Sequence, residues 1–205
     1  MYSNITGIIL AGGKSVRMGE NKSLLKLNGK TVIERTVDLL KSVFGNVILI
    51  ANAPHEYSFL DVPTFKDIFE YKGPLAGIHA GLTHSATEKN FIISCDIPLM
   101  KAEMIRHIVD FETDKPVTVC RAEGFVQWLA GKYDKKVLPE IEKILRENNN
   151  DSNSKKGSVN FLLKKVGVEI ITAEELQFYD EYLFFNMNEK SDYKKIVEKL
   201  REIDS

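Results

Sequence analysis

Three short runs, residues 5–10 (ITGIIL), 46–51 (NVILIA) and 91–95 (FIISC), are almost wholly apolar, and helical patterns lie between them. A strand that is apolar along its whole length has to be covered on both faces. Such strands alternating with helices require an α/β fold, a mostly parallel sheet with helices on both faces. The helical patterns are residues 31–44, 74–82 and 102–111. In the first, Thr31 and Glu34 have capping-box spacing, and Val32, Ile33, Val37, Leu40 and Val43 recur on one face. Pro74 stands in the first turn of the second, where helices tolerate proline best. Residues 63–66 are a short further strand candidate.

The second half is less regular. Residues 116–121 and 125–132 are strand candidates, and 135–146 is a helix. Residues 148–156 (NNNDSNSKK) form a polar, exposed loop. A closing helix over 189–203 is expected to dock on the sheet. No internal repeat is present, and 205 residues suit one domain, 1–205.

Charge narrows the class of function. With 28 basic against 29 acidic residues the net charge is -1, so no global field draws the chain to nucleic acid or to a membrane surface. Any phosphate binding has to be local. The two cysteines, Cys95 and Cys120, have no paired spacing, which argues against a zinc site or a disulfide framework and fits a reducing cytoplasm. Residues 1–10 lack the charged start and long apolar run of a signal peptide, and no apolar stretch reaches membrane-span length. The four histidines form no spaced pair, so surface or core roles are expected for each. Trp128 is expected to belong to the core more than to a ligand platform, although its region can also face a second ligand.

In a parallel sheet, ligands sit beyond the carboxyl ends of the strands. After the first strand come Leu10-Ala11-Gly12-Gly13-Lys14-Ser15-Val16-Arg17-Met18-Gly19, then Lys22. Adjacent glycines let backbone N–H groups approach a ligand, and Lys14, Arg17 and Lys22 put three cations within nine residues. That combination suits a triphosphate. A P-loop would need glycine at position 8, where Ile8 stands, and the adjacent pair Gly12-Gly13 also breaks the GxGxxG fingerprint. A solvated basic loop is the bland alternative.

Asp96, in Ser94-Cys95-Asp96-Ile97-Pro98, follows the third buried strand. A carboxylate there either caps a turn or holds Mg²⁺ on phosphates, and the facing glycine loop favours the metal. Lys72-Gly73-Pro74-Leu75-Ala76-Gly77-Ile78 brings small residues into a helix start, which permits close approach of a ligand. Asn52 and Asp67 follow two further strands on the same side.

Taken together, the segments 10–22, 73–77 and 95–98, with Asn186-Met187-Asn188, resemble the molybdenum cofactor guanylyltransferase family, the MobA-like nucleotidyltransferases. The resemblance runs from position 10 to 188 and is loose between about 113 and 185. It implies a Rossmann-like nucleotidyltransferase fold with a nucleotide-binding half, 1–112, and an acceptor-side half, 113–205. It implies transfer of GMP from MgGTP to the molybdopterin phosphate, giving a guanine dinucleotide cofactor and pyrophosphate. Leu10, Ala11, Gly12 and Gly13 would serve the guanosine end, Lys22 the phosphates, and Asp67 the nucleotide. Asp96 would bind both Mg²⁺ and nucleotide. Lys22, Asp96 and Arg17 are the catalytic candidates, with Asn52, Asn186 and Asn188 at the edge of the site. Asn21 departs from the aspartate that the family often carries before its lysine. A role of this kind implies molybdenum-insertion proteins and apo-molybdoenzymes as partners. The rivals are a cytidylyltransferase for the same pterin, a sugar-phosphate guanylyltransferase, and a GTP-binding module without turnover. The Ala-Gly-Gly at 11–13 favours guanine, because the related cytosine-selective enzymes more often resemble Ala-Ala-Gly there.

Overall fold

The computed structural model describes residues 1–12, 21–70, 72–147 and 159–203. In chain order the strands are β1 (Tyr2–Leu10), β2 (Lys26–Leu27), β3 (Lys30–Thr31), β4 (Phe44–Ile50), β5 (Thr64–Phe65), β6 (Lys89–Ser94), β7 (Val117–Ala122), β8 (Phe125–Asp134) and β9 (Glu169–Thr172). The helices are α1 (Val32–Val43), α2 (Pro74–His84), α3 (Ala102–Asp110), α4 (Leu138–Glu147), α5 (Val159–Val166) and α6 (Lys190–Ile203).

β1 is paired in parallel on both sides, with β4 and with β6, and Leu10 lies opposite both Ile50 and Ser94. The full sheet order is β5-β4-β1-β6-β8-β7-β9. Among the described strands of this sheet only β8 runs against the rest, antiparallel to β6 and β7. A two-residue turn joins β7 to β8, with positive φ at both Glu123 (50°) and Gly124 (75°), the geometry that matches strand twist in tight hairpins. Apolar side chains on the central strands alternate between two cores. Ile9, Leu49 and Phe91 face α1 and α3, whereas Ile8, Ile50 and Ile92 face α2, α4 and α5. The sheet is therefore covered on both faces, as its uninterrupted apolar strands require.

The α1 capping box is present in both directions: Glu34 N–H donates to Thr31 Oγ1 at 3.3 Å, and Thr31 N–H donates to Glu34 Oε2 at 2.7 Å. α2 lies hard against β1, since a Cβ on Gly81 would sit 2.6 Å from Ile8 Cγ2. One expectation is corrected. The closing helix α6 does not dock on the sheet; Ile196 and Leu200 join Leu27, Val32, Leu99 and Met187 in a separate small core. Its mean polarity leaves a narrow apolar stripe, enough for the β2–β3 hairpin and the start of α1 but not for a sheet face. The expected polar loop at 148–156 lies outside the described residues.

Candidate active site

The ladder of the parallel strands continues one residue past their ends. Ala11 N–H donates to Ile50 O at 2.9 Å, Cys95 N–H to Leu10 O at 3.1 Å, and Ala51 N–H to Phe65 O at 2.8 Å. Those bonds fix where the next residues emerge: Gly12, Asn52, Asp67 and Asp96 all leave the same edge of the sheet. Leu10 and Ala11 are buried, their side chains in opposite cores. Gly12 is exposed, and a Cβ on it would have Asn52 Nδ2 as its nearest neighbour, 3.9 Å away. Gly13, Lys14 and Arg17 lie outside the described residues.

Asn52 and Asp67 come together directly, with Asn52 Nδ2 donating to Asp67 Oδ2 at 3.0 Å. Burial raises the Asp67 carboxyl above its usual range, and the Asn52 bond offsets part of that shift. The first turns of α2 lean on this corner: a Cβ on Gly77 would lie 3.4 Å from Leu10 Cδ2 and 3.7 Å from Asp67 Oδ1.

Lys22 heads a single turn of 3-10 helix, Lys22–Leu24, whose N-cap is Asn21. Its ammonium donates to the carbonyls of Met187, at 3.3 Å, and of Asn188. Met187 N–H in turn donates to Asp96 O at 2.8 Å. Lys22, the 186–188 segment and Asp96 therefore form one cluster although Lys22 and Met187 are 165 positions apart. Burial pushes the Cys95 thiol up to about 12; the Asp96 charge adds to the rise and Lys22 opposes it, so both charges act on this one side chain.

Asp96 is half-buried, and its Oδ1 is buried without a hydrogen-bond partner among the described residues. A buried carboxylate oxygen left bare is costly, and a hard cation satisfies it. Among the described residues no group of three or more His, Cys, Asp or Glu could enclose a metal ion. Beside Asp96 opens a cavity of about 460 Å³, lined by Phe125, Gln127, Trp128, Phe184 and Asn186 among others. Trp128 is half-buried: it packs on one core, as expected of it, and its region also lines this cavity. The reversal of β8 is the reason: it turns the strand's first residues toward the edge where Asp96 emerges.

Comparison with known proteins agrees with this geometry. Residues 7–159 match the family model of the MobA-like NTP transferase domain. The chain belongs to that family. Among MobA-like relatives, a probable molybdenum cofactor guanylyltransferase of Carboxydothermus hydrogenoformans is 39% identical over 198 residues, 95% of either chain. A molybdenum cofactor guanylyltransferase of Desulfosudis oleivorans is 33% identical over 93% of each. The molybdopterin-guanine dinucleotide biosynthesis protein A of Archaeoglobus fulgidus superposes with a TM-score of 0.82 at 21% identity, covering 96% of this chain and 99% of its own.

One residue of this MobA-like chain matters more than its sequence suggested. Asn21 Oδ1 accepts from Ser23 N–H at 3.2 Å and from Ser23 Oγ at 2.7 Å. Its Nδ2 donates to Glu56 Oε2 at 2.7 Å and to the Tyr57 hydroxyl at 3.0 Å. The amide thus caps the turn that carries Lys22 and ties it to the loop after β4. An aspartate could do the first but, when ionised, could not donate to Glu56. The available signal was Asn with Ser two positions on, an N-cap pattern.

Proposed function

We propose that this protein transfers GMP from MgGTP to the phosphate of molybdenum-molybdopterin, giving the molybdopterin guanine dinucleotide cofactor and pyrophosphate. The observation that carries the reading is Asp96, a carboxylate with a buried, unpartnered oxygen at the strand edge, clustered with Lys22 through Met187. Family membership supports the same reaction.

In this reading the exposed backbone at Gly12, followed in sequence by Gly13, reads the guanine, with Leu10 and Ala11 shaping the floor beneath it. Asn52 and Asp67 hold the nucleoside side. Lys22 and Arg17 offset phosphate charge, and Asp96 would hold a Mg²⁺ ion, which when bound would supply further neutralisation of the phosphates. An oxygen of the acceptor phosphate forms a bond to the α-phosphorus, the bond from that phosphorus to the α–β bridging oxygen breaks, and its electron pair leaves with pyrophosphate. The acceptor phosphate is already ionised near neutral pH, so no strong general base is needed. The protein's part is positioning and charge stabilisation. The cavity beside Asp96, with Trp128 and Asn186 on its walls, receives the acceptor. The whole chain, 1–205, works as one domain in the cytoplasm, where insertion proteins and apo-molybdoenzymes take up the product.

The test is pyrophosphate release from purified protein with Mg²⁺ and GTP, with and without molybdopterin, compared against CTP, ATP and UTP. Release that needs both GTP and the pterin supports the reading; release with CTP alone reassigns the nucleotide.

A further inference from the structure

The loop that follows Asp96 has a second face, and a second unpartnered buried polar atom lies there. Arg35, on α1, has a buried Nε without any hydrogen-bond partner among the described residues. It lines a cavity of about 280 Å³ whose other walls include Leu39, Ile97, Pro98 and Met100. This cavity is distinct from the one beside Asp96, and Ile97 borders both.

The carboxylates that would normally serve Arg35 are engaged elsewhere. Glu34, next to it in sequence, is held by Thr31 through the capping box. Asp38, one helical turn on, is taken by Lys30 at 2.6 Å. Thr36 gives its hydroxyl proton to Val32 O at 3.0 Å. The cavity therefore presents one guanidinium without an anion, a neutralised Lys30–Asp38 pair, and apolar walls. A buried N–H without an acceptor is costly, and a guanidinium is shaped for the paired oxygens of carboxylate or phosphate. Ile97 and Met100 are almost fully buried, which leaves little for a bare inorganic ion to contact beyond Arg35.

We propose that the Arg35 cavity binds an organic oxyanion, a phosphate or carboxylate group carried on an apolar body, at a site separate from the nucleotide pocket. The charged head meets Arg35, and the apolar body lies on Leu39, Pro98 and Met100. This site does not depend on which reaction Asp96 and Lys22 perform.

Methyl NMR on the full chain, titrated with phenyl phosphate and with benzoate, tests it. The Met100 and Ile97 methyl signals are expected to move and saturate with at least one of the two, whereas phenol leaves them unmoved. Arg35→Gln is expected to weaken that saturation roughly tenfold, the loss of one charge-assisted contact. Arg35→Lys, which keeps the charge, retains part of it, and Lys22→Ala leaves it unchanged. Melting temperatures recorded for each variant separate lost binding from lost fold. Unmoved Met100 and Ile97 signals with both anions overturn the proposal, as does saturation that survives Arg35→Gln or disappears in a folded Lys22→Ala.

Discussion

Lys22 and Asp96 are coupled through the main chain of a single residue, Met187, whose carbonyl accepts from the Lys22 ammonium and whose N–H donates to the Asp96 carbonyl. The late Asn186-Met187-Asn188 segment thus sets the relative position of the two groups proposed to carry the phosphate chemistry. It is also fixed from below, because Met187 is fully buried in the small core that α6 completes.

Lys22→Ala should weaken GTP binding by about 1.5–3 kcal/mol, the worth of a charge-assisted contact, and lower transfer with the fold intact. Calorimetric titration of MgGTP and a thermal melt of the variant check this together. Unchanged affinity and turnover in folded protein would leave Lys22 as a structural tie to residues 187 and 188 only.

Asn21→Asp should lower turnover without abolishing it. The change keeps the cap on Ser23 but faces Glu56 with a second carboxylate and removes two donated bonds, at a cost of about 1 kcal/mol. The pairing is near the surface, so added salt should recover part of the loss. Steady-state kinetics at low and high ionic strength are the measurement; identical turnover for both proteins would deny Asn21 its positioning role.

Gly12→Ala should keep the melting temperature and shift nucleotide preference from GTP toward CTP. Among the described residues only Asn52, at 3.9 Å, approaches the added methyl, so the expected loss comes from crowding the ligand. A site that pairs with one base disfavours analogues that leave its polar groups unmatched, and the methyl would erode that fit. Competition binding of GTP and CTP to both proteins decides it, an unchanged ratio being the contrary result.

Asp67 carries a stability consequence. Burial raises its carboxyl above the usual 3.8, so the folded protein binds that proton more tightly than the unfolded chain. Its contribution favours folding at low pH and is lost as the pH rises through the raised value. Asp67→Asn, which can still accept from Asn52, should therefore melt higher than the parent above that window. Below pH 3.8 the difference should vanish. Paired melts across pH would show a constant offset if Asp67 carried no shift.

Much of this was legible in the sequence, and the limits have physical causes. The central strands announce themselves because burial on both faces demands continuous apolar runs, and the α1 start because Thr31 and Glu34 carry a reciprocal cap. Gly12, Asn52, Asp67 and Asp96 were placed on one edge by strand ends alone. β9 escaped notice: it is four residues long, half-buried, and sits at the margin of the sheet. The β2–β3 hairpin is shorter still. The Lys22–Met187 contact joins opposite ends of the chain, and no local pattern encodes such a distance. Both roles of Trp128, on a core and on a cavity wall, were open in the sequence, because an apolar strand segment has the same appearance in either setting.

The central claim, that Asp96 holds the metal for GMP transfer, is tested most directly by Mg²⁺-dependent pyrophosphate release from purified Asp96→Asn, with its melting temperature measured alongside. The substitution keeps the shape and removes the charge, so the metal is held poorly while Lys22 and the glycine loop still bind nucleotide. The account predicts a fall in turnover of orders of magnitude, a smaller fall in GTP affinity, and a melting temperature near that of the parent. If Asp96 were only a turn or cap residue, the variant would lose about 1 kcal/mol of stability and keep its activity per folded molecule. Near-normal turnover in folded Asp96→Asn would contradict the account and move the metal site elsewhere.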